Sequence, residues 1–267
     1  MLNGKEIAEF VKERQAAQVR TLRQSHKIIP KLAIIVTVDN QVINVYMRLK
    51  ERYGADIMVD VEVHRVSQNE APALIGKLNG DERVHAIIVQ LPLEDPSGTN
   101  SIVDLVSPAK DVDALGKNAI YEPATPLAIM WLLAGYNVDL RGKNILLIGR
   151  GKLVGAPLEK ILTHDGYNVS VATRSTPDLK AATLEADIII TAAGSPAILF
   201  PDMIKHKAVV VDAGVASEDG KTVGDVAPEV YERDDLTITP VKGGVGPLTV
   251  CALFDNVIRA ASVGMSV

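Results

Sequence analysis

Cysteine is almost missing from this chain. Cys251 stands alone in 267 residues, so no disulfide can close within the chain and nothing marks an oxidising compartment. Aromatic residues make up 4%, and none interleaves with basic residues in the manner of a platform for single-stranded nucleic acid. Lysine and arginine (28) fall short of aspartate and glutamate (33), giving a formal net charge of -5. That balance argues against a polyanion as the main partner, and no nucleic acid is expected. Apolar runs such as ILLIG and ADIIITAAG have strand length, far short of the roughly 20 residues that span a bilayer. The opening MLNGKEIAEFVKER spreads its charges and has no apolar centre of a secretory signal. The expectation is a cytoplasmic protein without a membrane partner. His26, His64, His85, His164 and His206 are scattered, with no HExxH and no Cys/His spacing, so no metal is expected. Neither a G-x-S-x-G elbow nor a G-x-x-x-x-G-K-[ST] loop occurs.

What is present is an ordinary globular balance, 47% hydrophobic and 23% charged, in a chain long enough for one large domain or two modest ones. Apolar runs read as strands at 31–37, 57–66, 85–90, 143–149, 168–173, 186–190, 208–214 and 236–240. Segments able to hold helices lie between most of them, a pattern of α/β architecture with largely parallel, buried sheets. Between 90 and 143 no strand is predicted, only the loop PLEDPSGTN, the turn SPAKDVDALGKN and a helix over 126–136. A gap of that length marks a domain junction, placed between 114 and 126. A further helix is predicted over 248–262. Met130 and Trp131 read as core or interface packing.

The second half opens with KNILLIGRGKLVGAP, a strand, a Gly-rich turn and a helix. Gly149, Gly151 and Gly155 are spaced G-x-G-x-x-x-G, one residue longer than the common dinucleotide fingerprint. Glycines there allow a tight turn and a close approach of backbone to pyrophosphate, whose charge sits against the unpaired N–H groups of a helix start. The next strand ends in Arg174-Ser175-Thr176, with no acid to hold a ribose 2′-hydroxyl. Arg150 and Arg174 suit a 2′-phosphate instead, which favours NADP over NAD. The competing reading is that both arginines are solvated loop residues.

YMRLK, residues 46–50, sets Tyr46 and Lys50 four apart, so on a helix they share a face. Lysine is rarely buried, and a surface charge is the ordinary alternative. Gln90 sits at a strand's carboxyl end, a usual place for ligand contacts in open α/β sheets. Core packing for Tyr46, strand capping for Gln90 and a turn role for Asp113 remain open on these grounds alone.

Seven segments in order carry a resemblance: YMRLK (46–50), VQLPL (89–93), PAKDVD (108–113), PATP (123–126), IGRGKLVGAP (148–157), VGDV (223–226) and TPVKGGVGPLT (239–249). Over nearly its whole length the chain resembles the bifunctional methylenetetrahydrofolate dehydrogenase/methenyltetrahydrofolate cyclohydrolase family. The resemblance implies two α/β domains with the active site in the cleft between them. A folate-binding domain would span 1–118, with 248–267 packing back onto it, and a Rossmann-like NADP domain would span 119–247. It implies a homodimer that oxidises 5,10-methylenetetrahydrofolate with NADP and hydrolyses the product to 10-formyltetrahydrofolate, within one-carbon metabolism and purine biosynthesis. Lys50 would be the proton-transfer group, Gln90 would hydrogen-bond it, Asp113 would pair with the pterin N–H groups, and Tyr46 would lie against the folate. Leu91, Lys242 and Gly243 would complete the folate site. Thr125, Gly149, Arg150, Gly151, Leu153, Val154, Arg174, Ser175, Val215 and Thr249 would line the cofactor.

The chain departs from that family's pattern in several places. Ile43 and Gly151 stand where Ser is common, Ala114 where Gly is usual and Lys242 where Pro is usual, while TRST displaces Arg174 by one place. Lys242 would sit near a cationic intermediate or hold the substrate's glutamate tail. Two other readings stay open: a monofunctional dehydrogenase, and a non-catalytic dinucleotide-binding regulatory protein.

Overall fold

A computed structural model describes residues 1–218 and 221–263. The chain divides into two compact units, Glu9–Ala124 with Val250–Val267, and Met1–Ala8 with Thr125–Thr249. The N-terminal residues thus group with the second unit, whereas the sequence reading placed 1–118 together. Backbone hydrogen bonds account for this: Leu2 N donates to Ile238 O at 2.8 Å and Lys5 N to Gly243 O at 3.0 Å.

The first unit alternates α1 (Gly4–Ser25), β1 (Lys31–Val36), α2 (Gln41–Asp56), β2 (Asp60–Arg65), α3 (Ala71–Gly80), β3 (Ala86–Gln90) and the short α4 (Thr99–Val103). The strands form a parallel sheet in the order β2-β1-β3. β1 and β3 are buried on both faces, as their unbroken apolar runs require. On one face Ala33, Ile35, Ile87 and Val89 pack against Ala71, Ile75 and Leu78 of α3. β2 starts later than the predicted 57, because Ile57 caps α2 and Met58 takes a left-handed φ of 63°.

After β3 the chain folds back along that strand. Ile87 N donates to Lys110 O at 2.8 Å and Ile87 pairs with Asp111 as an isolated parallel bridge, so PAKDVD runs beside β3 toward its carboxyl end. The C-terminal helix is pinned to this unit by Asn256, whose Nδ2 donates to Val112 O at 2.9 Å and Glu122 O at 2.8 Å. Gln15 adds a bond from Nε2 to Cys251 O at 2.8 Å.

The second unit holds α5 (Ala124–Gly135), β4 (Ile145–Ile148), α6 (Gly155–His164), β5 (Val169–Ala172), α7 (Leu179–Glu185), β6 (Ile188–Thr191), β7 (Val209–Asp212), β8 (Ala216–Glu218), β9 (Lys221–Val223) and β10 (Thr237–Ile238). α8 (Val245–Ala261), the C-terminal helix, begins here. Five strands make a parallel sheet in the order β10-β7-β6-β4-β5. The chain runs from β4 outward to β5, then returns to place β6 on the other side of β4. That reversal opens a crevice at the carboxyl ends of β4 and β6, where open α/β sheets bind ligands. β8 and β9 form an antiparallel pair that the sequence reading did not foresee.

Candidate active site

In the first unit the sheet and α2 bring Lys50 and Gln90 together. α2 begins at Asn40, whose Oδ1 accepts from Ile43 N at 2.9 Å, an ordinary side-chain cap. Ile43, Met47 and Gly54 form the buried face of the helix, so the apolar residue that replaces Ser is taken up by the core. Tyr46 and Lys50 lie off that face. Lys50 Nζ donates to Gln90 Oε1 at 2.8 Å, and Gln90 Nε2 donates to Leu91 O at 2.8 Å. The second bond fixes which end of the Gln90 amide faces the lysine. Tyr46 is 42% exposed, so it is not a core-packing residue.

Burial pushes the Lys50 ammonium below its ordinary pKa, and the nearby Asp113 carboxylate opposes that shift. Asp113 is raised by burial in turn, with Lys50 pulling it back. The two acids of DVD have different tasks. Asp111 is buried and accepts from Gly116 N at 2.8 Å and Leu115 N at 3.4 Å, so it builds the turn. Asp113, two residues farther toward the carboxyl end of β3, interacts with Lys50.

Ala114 closes the same turn with φ of 56°, and its N donates to Asp111 O at 3.2 Å. The left-handed backbone that a glycine would favour is therefore kept, with a Cβ forced into it. Ala114→Gly is expected to stabilise the protein by about 0.5–1 kcal/mol, since relief of left-handed strain exceeds glycine's entropy cost. Chemical denaturation checks this, and an unchanged or lower stability would show that the turn is not strained.

In the second unit the Gly-rich turn lies at the crevice between β4 and β6. Gly149 has φ of 101°, and a Cβ there would stand 2.5 Å from Ala192 O. A Cβ on Gly155 would stand 2.2 Å from Gly149 O. The first and last glycines are thus required by the fold. Gly151 has open space around it, so its lack of a side chain is not a packing requirement. α6 starts at Val154, whose side chain makes no capping hydrogen bond; Ala156 N donates to Gly151 O at 3.0 Å, Leu158 N to Val154 O at 2.9 Å and Pro157 carries no N–H, so an anion there draws on Gly155 N and not on a full turn of donors. Leu153 and Val215 are exposed, 50% and 61%, and Thr125 and Val154 are partly buried.

Arg150 and Arg174 are exposed, as the solvated-loop reading requires, yet Arg150 is not unpaired. Its Nε donates to Glu159 Oε2 at 2.6 Å and its Nη2 to Glu159 Oε1 at 3.3 Å. After β5, Thr173 Oγ1 and Ser175 Oγ lie 2.8 Å apart and Thr173 N donates to Thr176 Oγ1 at 2.9 Å, a hydroxyl-tied loop that carries Arg174 at its bend. Thr249 Oγ1 donates to Val245 O at 3.4 Å within α8. Lys242 is exposed and Gly243 has φ of 87°. Both belong to the second unit, not to the unit that holds Lys50.

Sequence reasoning missed the acids beneath the crevice. Asp225 Oδ2 accepts from Ala193 N at 2.7 Å and Gly194 N at 3.3 Å, and its Oδ1 from Ser195 N at 2.8 Å. Asp212 accepts from Thr191 Oγ1 at 2.9 Å and Gly214 N at 3.0 Å. The visible signal was a glycine within two residues of each acid, in DAG and VGD. A Cβ on Gly214 would stand 2.0 Å from Asp225 Cγ, and one on Gly224 2.0 Å from Asp212 Oδ2. Among the described residues no group of three or more His, Cys, Asp or Glu side chains is placed to hold a metal, and no helix is long and apolar enough to cross a membrane.

Comparison with known proteins agrees with both halves of this geometry. Residues 2–113 match the catalytic-domain model of tetrahydrofolate dehydrogenase/cyclohydrolase, and residues 123–264 match its NAD(P)-binding domain. The bifunctional protein FolD of Sulfurihydrogenibium sp. is 37% identical over 97% of this chain and 96% of its own. The crystal structure of the bifunctional FolD enzyme from Campylobacter jejuni superposes with a TM-score of 0.92 at 36% identity, covering 99% of each chain. The Trypanosoma brucei enzyme, solved with NADP cofactor and inhibitor, gives 0.90 at 29% identity over 97% of this chain and 96% of that one. The chain belongs to the tetrahydrofolate dehydrogenase/cyclohydrolase family.

Proposed function

We propose that the protein oxidises 5,10-methylenetetrahydrofolate with NADP+ and hydrolyses the resulting 5,10-methenyl cation to 10-formyltetrahydrofolate. The observation that carries the hydrolytic half is the bond from Lys50 Nζ to Gln90 Oε1 at 2.8 Å, made by a lysine whose pKa burial has lowered. An ordinary lysine is too fully protonated near neutral pH to accept a proton. Burial moves Lys50 toward the range in which general base catalysis works. Gln90, held by the Leu91 carbonyl, fixes where the amine points. The neighbouring positive charge of a methenyl substrate would lower the lysine further. Tyr46, one turn earlier on α2, offers an exposed ring to the substrate, and Asp113 offers a carboxylate to its ring N–H groups. Lys242 and Gly243 are assigned to the substrate on family likeness alone.

The Gly149 and Gly155 approaches, the Gly155 N–H at the start of α6 and two exposed arginines fit a dinucleotide with a 2′-phosphate. Thr125, Gly151, Leu153, Val154, Arg174, Ser175, Val215 and Thr249 complete that assignment. NADP supplies the hydride acceptor. The chain's residues then have only to bind and orient, because the folate nitrogen lone pair drives hydride departure. A homodimer working in the cytoplasm and feeding one-carbon units to purine biosynthesis belongs to the same proposal.

The test is a coupled assay on purified protein with 5,10-methylenetetrahydrofolate, following NADPH and methenyl absorbance together, with NAD+ in parallel. NADPH should appear without lasting methenyl. Accumulating methenyl would leave a dehydrogenase alone, and no reduction with either cofactor would favour the non-catalytic reading.

A further inference from the structure

Arg150 is the guanidinium of the Gly-rich turn, and no acid follows β5 to select an unphosphorylated ribose. By those two features the site would prefer a 2′-phosphate strongly. Glu159 opposes this. It lies on α6, nine residues from Arg150, and its carboxylate takes Nε and Nη2 of the guanidinium at 2.6 and 3.3 Å. Glu159 is the less exposed partner, 25% against 61%, so the arginine comes to the glutamate on its helix. A phosphate approaching Arg150 meets a charge already balanced and a fork with one edge occupied.

We infer that Glu159 is a specificity-determining residue, acting through Arg150 to hold down the preference for a 2′-phosphorylated dinucleotide over its unphosphorylated counterpart. The inference rests on the dinucleotide assignment of this turn. It extends that assignment to a residue outside the Gly-rich motif. Removing the carboxylate charge releases the guanidinium for phosphate, without altering groups that hold the adenosine.

Binding of adenosine 2′,5′-bisphosphate and of 5′-AMP to the full chain tests this without any catalysis, since the two probes differ only in the 2′-phosphate. Glu159→Gln should tighten the bisphosphate roughly two- to fivefold relative to 5′-AMP, the scale of an exposed charge pair, and leave 5′-AMP essentially unchanged. Adding Arg150→Ala to Glu159→Gln should remove the gain. Glu159→Ala should reproduce it, which separates loss of charge from any effect of the amide. Weaker bisphosphate binding in Glu159→Gln would show that the glutamate positions Arg150 for the phosphate, and would overturn the inference. An equal change for both probes, or none, would overturn it also. Failure of the wild-type protein to bind either probe would overturn the dinucleotide assignment itself.

Discussion

Lys50→Met is expected to lower enzymatic hydrolysis of 5,10-methenyltetrahydrofolate by about 10²–10⁴-fold, the usual weight of a positioned proton-transfer group. Methionine keeps an unbranched chain of similar reach in the partly buried site but can neither donate to Gln90 Oε1 nor accept a proton. Binding of the folate substrate should remain measurable, because Tyr46, Asp113 and the sheet end are untouched. Lys50→Arg is the informative companion. It restores a cation and a donor, yet guanidinium does not deprotonate, so it should rescue the hydrogen bond and not the rate. Hydrolysis at the wild-type rate in Lys50→Met would remove Lys50 from the chemistry.

Asp225→Ala carries the second large effect, on stability and cofactor binding together. Its carboxylate is fully buried and accepts from Ala193, Gly194 and Ser195 N. Truncation strands those donors and opens a cavity against Gly214, at an expected cost of about 3–5 kcal/mol. The same loop lies against the Gly-rich turn, since the Ala192 carbonyl faces Gly149 at the distance that excludes a Cβ. Freeing it should raise the Kd for NADP+ at least roughly tenfold, because a misplaced wall loses preorganisation as well as contacts. Asp225→Asn, which keeps one acceptor oxygen, should fall between wild type and Ala in a denaturation series. Equal stability of all three would mean that the N–H groups find other acceptors.

The fold was legible wherever the signal was local. Each of the eight runs became a parallel strand; β1, β3, β4 and β6 are buried on both faces, as their continuous apolar sequence requires, while the edge strands β2 and β5 alternate. Ends were less legible: at 57–59 the helix cap and a left-handed residue take positions whose composition reads as strand. The antiparallel pair of β8 and β9 was missed because short strands outside the five-stranded sheet have little apolar pattern to show.

The candidate site was legible only in its ordered motifs. Lys50 and Gln90 are 40 residues apart, and no spacing rule joins them; the parallel sheet and α2 do. Asn256, which clamps the Val112 carbonyl within the acid turn and the Glu122 carbonyl after it, lies 144 residues from Val112. The pairing of Arg150 with Glu159 needed the actual direction of α6. In DVD the sequence marks two equivalent acids, and only the hydrogen bonds to Asp111 show which one builds the turn.

The most direct measurement is the pH dependence of methenyltetrahydrofolate hydrolysis by the wild-type protein, corrected for the uncatalysed reaction at each pH. Burial lowers the Lys50 pKa from 10.5, so the neutral amine proposed as the base gains population at a pH below that value. The enzymatic rate should therefore climb with pH through an ionisation below the ordinary lysine range, and Lys50→Met should lack that limb. A limb that persists unchanged in Lys50→Met would contradict the assignment of Lys50 as the proton-transfer group.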